Sequence, residues 1–370
     1  MCTRGNIALM KKIQLRTTSV TLLFFLAISC MGFVALPTHA AAACSPAGGT
    51  GLTAAVIATS GQKISSTINA SGCDIGIYVG PGTSGVVING AKVTGANDHG
   101  IFVQDASNIV IKNNVVSGNG IAPNTAIQEN KAIELVGTNH STVSGNVVRD
   151  NLADGGIGVA DDGPAIDPGA PVASATSPLP GNGNVVTNNY VKDNAAGCGI
   201  VVAAYNEGGG VSHNVVSDNR VVGGWSGAPG TSIPYVGGIV VAADSPSTNV
   251  THNTVSMNTI VVSLIPGIVV HSNAPGDYVS GTILYKNYIT KNGAEGPPDD
   301  PSDPTGIEIV AESAPGMPNA PVLMNTYVIS QTIHQDVNGI WLCFSTGTHI
   351  SGLTTHAVTN PVIACPSGGS

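Results

Sequence analysis

The sequence predicts an all-β fold: a single-stranded right-handed parallel β-helix (solenoid) of about nine coils, with end caps and long loop insertions. Three observations predict it. A tetrapeptide, G-I-x-V, recurs along the chain, asparagines recur in pairs five residues apart, and charged and aromatic residues are scarce at 9% and 4%.

The tetrapeptide begins at Gly76, Gly100, Gly156, Gly199, Gly238, Gly267, Gly306 and Gly339, and Ala132-Ile133-Glu134-Leu135 is a ninth copy that lacks only the glycine. The shortest spacing is 24 residues, and the longer ones contain insertions. Within each copy the first and third apolar side chains point the same way, as the period of two in a strand demands. A unit this short cannot bury its own apolar face, but stacked units can, and the strands of successive units then pair in parallel.

The asparagine pairs are Asn114/Asn119, Asn146/Asn151, Asn189/Asn194, Asn214/Asn219, Asn253/Asn258 and Asn287/Asn292. Asparagine tolerates left-handed φ at turns, and stacked amides can bond to one another and to turn backbone between coils. Low charge suits such a stack, since soluble proteins ordinarily carry about 25% charged residues.

Residues 1–40 read as a signal peptide, with a basic start at Lys11, Lys12 and Arg16, an apolar run from Ser19 to Leu36, and a small-residue cleavage site at Thr38-His39-Ala40. An uncleaved anchor, or lipid attachment at Cys30 or Cys44, is the alternative. Residues 41–75 are expected to form an N-terminal cap, and 76–370 the β-helix with its C-terminal cap. Four of the 13 basic residues and none of the 22 acidic ones lie in the first 40, so the remainder carries a formal net charge of −13. Such a surface repels nucleic acid and anionic membrane. No membrane span is expected after signal cleavage, and the expected product is a secreted, periplasmic or cell-surface monomer. Five cysteines follow the signal. Cys44 with Cys73 would close one end and Cys343 with Cys365 the other, leaving Cys198 over; all five could equally be small buried residues. No C-x-x-C pair exists for a thiolate metal site.

From about Asp74 to about Thr359 the repeat resembles the pectate-lyase-like (pectin lyase fold) superfamily and its generic parallel β-helix repeat proteins. The resemblance implies the fold and is poor for function. Of the polygalacturonase-like motifs only a double aspartate, Asp161-Asp162, is present; the Asn-Thr-Asp, Gly-His-Gly and Arg-Ile-Lys motifs are missing. Pectate-lyase-like enzymes pair calcium-binding acids with a basic residue. Here the remaining arginines, Arg149 and Arg220, stand beside distal turns, and Lys131 near Glu134 is the one candidate.

Outward positions follow from the repeat. In the middle coils they are apolar, as at Val201, Val240 and Val269, so something covers or binds that face. The insertions Asp162–Asn182, Val221–Val236 and Gly293–Thr305 are candidates for the cover, with Trp225 and Tyr235 as sugar-stacking platforms. From the fourth coil on, the column six residues after the glycine reads Asp162, Tyr205, Asp244, Asn273, Glu312, with Asp161 and Glu207 beside it and His271 two residues before. Stacked acids repel, so the column needs a reason. Calcium bound by oxygens of adjacent coils is one. Glycoside hydrolysis is another: Asp162 and Asp244, two coils or ~9–10 Å apart, would stand at the wide end of the inverting geometry. Turn formation by Asp and Asn is the third. His213 and His252 would stack outward, as a surface pair or a metal site.

Two functions follow as expectations. The first is an exported protein that binds or processes a polysaccharide or cell-surface glycan along its acid-lined face. Asp162 and Asp244 would be the acid and base, supported by Glu207, Glu312 and His271, with Tyr205, Trp225, Tyr235 and Asp161 contacting the glycan. The second is a non-catalytic surface, adhesion or glycan-binding module whose acids form turns.

Overall fold

The computed structural model describes residues 43–122, 130–152, 155–163, 178–194, 197–223, 237–263, 266–292, 305–312 and 319–365. Its local unit is a three-residue strand followed by a two-residue corner. The first corner residue adopts left-handed φ, as at Asn113 (55°), Asn188 (56°), Asp218 (56°) and Lys286 (53°). The second turns inward and carries the buried asparagine. One side of a coil is therefore five residues long, which is the spacing of the paired asparagines.

Each coil also contributes one longer strand, the G-I-x-V segment. These strands stack in parallel in the predicted register: Ile77, Ile101, Ile133, Ile157, Ile200, Ile239, Ile268, Ile307 and Ile340 form one column. Among the described residues the resulting sheet has 12 strands, two further sheets have 10 each, and a five-stranded sheet adds a fourth side from Gly181–Asn182 to Val322–Met324. The stacking begins earlier than Gly76, because Thr53–Ile57 already pairs in parallel with Ile75–Val79. Ser45–Pro46 closes that end as an antiparallel strand.

The glycine of G-I-x-V has a steric cause. It faces the interior, where a neighbouring side packs against it. A Cβ on Gly100 would lie 2.4 Å from Val116 Cγ1, and one on Gly156 would lie 2.4 Å from Val191 Cγ1. Inside the coils Ile, Val and Leu form one continuous core. A second, smaller apolar cluster lies outside the long sheet and contains Tyr78, Phe102, Val201, Ala203, Val240, Ala242 and Val269. The outward face that is apolar in sequence is thus buried, with Val240 only 5% exposed. The insertions expected to cover it, with Trp225 and Tyr235, fall largely or wholly outside the described residues, as does the signal peptide.

Three inward ladders of polar side chains tie the coils together. In the first, Asn146 Oδ1 accepts from both the backbone N and Nδ2 of Asn114 (2.9 Å each). Its own Nδ2 donates to Ile111 O (3.0 Å) and Asn189 Oδ1 (2.9 Å). The ladder continues through Asn219, Asn258 and Asn287 to Gln331. A second runs Asn119, Asn151, Asn194 and resumes as Ser263, Asn292, Asp336. The third, at a corner the sequence reading did not separate, runs Ser141, Asn184, Asn214, Asn253. This corrects the alignment of the pairs. Asn214/Asn219 stacks on Asn184/Asn189, not on Asn189/Asn194, because a shift by one five-residue side leaves the spacing unchanged.

Disulfides Cys44–Cys73 and Cys343–Cys365 stand at the two ends, with Cα–Cα distances of 5.4 and 5.0 Å. Cys198 is fully buried, at the start of the strand Cys198–Ala204 in the long sheet. Among the described residues no helix is long and apolar enough to cross a membrane.

Asp336 occupies a ladder position that is usually Asn. It accepts a hydrogen bond from Asn292 N, and burial pushes its carboxyl up to about 6. A carboxyl raised in the folded state contributes stability below its unfolded pKa and loses it as pH rises through about 6. Asp336→Asn should therefore stabilise the protein by about 1–2 kcal/mol at neutral pH. Urea unfolding should show that gain shrinking towards pH 4.5.

Candidate functional site

The acid column begins where the long strands end. Tyr205, Asp244, Asn273 and Glu312 each follow directly on the strands Cys198–Ala204, Gly237–Ala243, Ile268–Ser272 and Thr305–Ala311. The backbone N of Asp244, Asn273 and Glu312 donates to Ala204 O, Ala243 O and Ser272 O at 2.9, 3.0 and 2.8 Å, so the column is in register.

At coil four the chain leaves the ladder. Asp162 pairs antiparallel with Leu179, exchanging backbone hydrogen bonds of 2.8 and 3.1 Å. The carboxylate of Asp161 takes over the vacated acceptor role. It receives Tyr205 N at 2.8 Å and Asn206 N at 3.2 Å, and it is fully buried. Burial pushes its carboxyl up to about 6, against the pull of those hydrogen bonds. Asp277 does the same for another turn, accepting from Thr248 N, Thr248 Oγ1 and Ala274 N; its carboxyl is raised, again by burial.

The remaining members divide by exposure. Asp162 is 8% exposed; one oxygen accepts from Gln104 Nε2 at 3.3 Å and the other has no hydrogen-bond partner. Gln104 is held in turn by the hydroxyl of Tyr78 (2.8 Å). Asp244 accepts from Asn273 Nδ2 and lies 3.5 Å from His271 Nε2. His271 is buried, and burial pulls its imidazole down to about 4, with Asp244 acting in the opposite direction. Tyr205 is buried, while Glu207 and Glu312 are exposed. The structure therefore brings Asp244, His271 and Asn273 together, joins Asp161 to the backbone of Tyr205 and Asn206, and leaves Glu207 and Glu312 at the surface. Trp225 and Tyr235 lie outside the described residues.

A second polar cluster lies in coils two and three and was not assembled from the sequence. His99 Nε2 is 2.8 Å from Glu134 Oε2, and the same oxygen accepts Lys131 N at 3.2 Å. All three residues are 1% exposed, and the His99 ring lies on Phe102 at 4.6 Å between centroids. Gly158 supplies the room, since a Cβ there would lie 2.9 Å from Lys131 Cγ. Reading the column two residues before each G-I-x-V isoleucine (Ile75, His99, Lys131, Gly155) would have found it. A His–carboxylate pair of this kind can orient an imidazole for proton transfer, but these groups are enclosed.

Among the described residues no group of three or more His, Cys, Asp or Glu side chains could hold a metal ion. The imidazoles of His213 and His252 stack at 5.1 Å, both exposed.

The family model described as "Right handed beta helix region" matches residues 53–233. No curated protein sequence matches the chain. Among solved structures, PfbA, a surface adhesin of Streptococcus pneumoniae, aligns at 10% identity with a TM-score of 0.50 over 85% of each chain. A Family 28 exopolygalacturonase of Yersinia enterocolitica aligns at 12% identity with a TM-score of 0.50, over 77% of this chain and 45% of its own. These likenesses concern the fold.

Asp161→Ala would strand two buried N–H groups and should cost about 2–4 kcal/mol in urea unfolding. Glu312→Ala, at an exposed side chain, should change stability by less than about 0.5 kcal/mol. With its elements and register established, the chain folds as a parallel β-helix, and its residues 53–233 match the right-handed β-helix model.

Proposed function

We propose that the protein is an exported, non-catalytic glycan-binding module of the cell surface or its surroundings. One observation carries this reading: the fold itself uses the carboxylates of the column. Asp161 caps a turn, Asp162 is tied to Gln104, and Asp244 is tied to Asn273. A glycosidase needs two carboxyl groups that face one bond across an accessible gap; here the exposed acids are Glu207 and Glu312, at the rim.

The outer surface supports a sugar ligand. Four of the chain's eight tyrosines, Tyr278, Tyr285, Tyr288 and Tyr327, stand outside two adjacent coils, three of them 36–41% exposed. A tyrosine offers an apolar ring and a hydroxyl together, which suits the apolar face and hydroxyl rim of a pyranose. The acidic net charge favours neutral over anionic glycans. The surface adhesin that shares the fold is compatible with this reading.

Polysaccharide processing is the second reading, favoured by the unpartnered oxygen of Asp162. A panel of neutral polysaccharides separates the two. Asp244→Ala should retain the wild-type binding profile, and neither protein should release new reducing ends or unsaturated products. Cleavage by the wild type that Asp244→Ala abolishes would reject the proposal.

A further inference from the structure

The two ends of the solenoid differ. At the N-terminal end the first coil is closed, with Ala47, Leu52, Ile64 and Ile68 all at 6% exposure or less. At the other end the last coil consists of His349–Ser351, Thr354–His356 and Asn360–Ala364. Among the described residues each of these strands is the terminal strand of its sheet, with a neighbour on one side only. Its inward residues belong to columns that are fully buried one coil earlier: Ile350 follows Val328, Thr355 follows Ile333, and Val362 follows Ile340. In the last coil Ile350, Leu353 and Val358 are only partly buried, and Val362 is 44% exposed. Val337 and Phe344, on the preceding coil, are 50% and 48% exposed.

This end is also uncharged. From Val337 to Ser370 the sequence contains no Asp, Glu, Lys or Arg, on a chain with 22 acidic residues. Two copies of so acidic a chain repel each other over most of their surface. They can approach most readily where neither carries a charge, and at this end each offers an open apolar core.

We propose that the C-terminal coil is a docking surface for a second copy of the chain, joined end to end about a two-fold axis. A two-fold contact is self-complementary, so the same apolar patch serves both partners. Ile350, Leu353 and Val362 of each copy would complete the core left open in the other. Pro361 lacks a backbone N–H, which weakens continuous strand pairing across the junction, so packing of apolar side chains dominates the contact. The Cys343–Cys365 disulfide holds the last coil to the one before it and presents a preformed surface. The proposal does not depend on glycan binding, though a dimer would double the valency of such a module.

Analytical ultracentrifugation of the full chain should show a concentration-dependent monomer–dimer equilibrium. Val362→Lys, placing a cation at the junction, should raise the dissociation constant by at least about tenfold. Thermal unfolding of the dilute monomer should show that the variant still folds. Hydrogen exchange provides an independent readout: amides of 349–351 and 354–356 should gain protection as concentration rises, and those of the N-terminal coil should not. A monomer at all concentrations, or a dimer indifferent to Val362→Lys with no added protection at these strands, would overturn the proposal. If a longer form of the chain is monomeric and protects the same amides without concentration dependence, the occupant is a segment of the chain itself and the proposal also fails.

Discussion

The stacked, buried asparagine is the interaction on which the rest of this structure depends. Along its short sides a coil turns a corner every five residues, and each corner brings backbone N–H and C=O groups into the interior, away from bulk water. The amide answers both needs at once. Asn189 accepts from the backbone and side chain of Asn146 and donates to Val143 O and to Asn219. One side chain thus completes its own corner and locks the register to the coils before and after it. The aliphatic columns add most of the apolar burial, but they resist sliding by one side less strongly, since Val and Ile alternate everywhere.

The same requirement explains why acids near the strand ends are poor evidence for catalysis. A corner that departs from the regular path still has N–H groups to satisfy, and a short carboxylate does so at the cost of desolvation. Asp161 and Asp277 both show the raised carboxyl that such burial produces. Perturbed acids in a solenoid therefore arise from structure as readily as from function.

Much of the fold is legible in the sequence because its signals are local and repeated. The G-I-x-V glycine, the inward isoleucine and valine, and the outward residue between them fall where the tetrapeptide puts them. The asparagines show the limit of this legibility. Their spacing reveals the length of a side but not which corner each occupies, so Asn214 and Asn184 are matched only by the structure. The site is less legible still. Whether Asp161 caps a turn depends on the chain departing at Asp162 to meet Leu179, and no nearby residue signals that. Lys131 shows the reverse error: an isolated lysine in sequence, it is the bulkiest fully buried side chain among the described residues.

Two sequence neighbours isolate the central claim. Asn188 and Asn189 occupy one corner, the first left-handed and exposed, the second inward and fully hydrogen-bonded. Urea unfolding of Asn188→Gly and Asn189→Ala measures the ladder against the turn. The account predicts a change within about 0.5 kcal/mol for Asn188→Gly, since glycine accepts left-handed φ, and a loss of about 3 kcal/mol or more for Asn189→Ala, which strands several buried groups. Equal, small losses for the two would contradict it, and would place the coupling between coils in the aliphatic core instead.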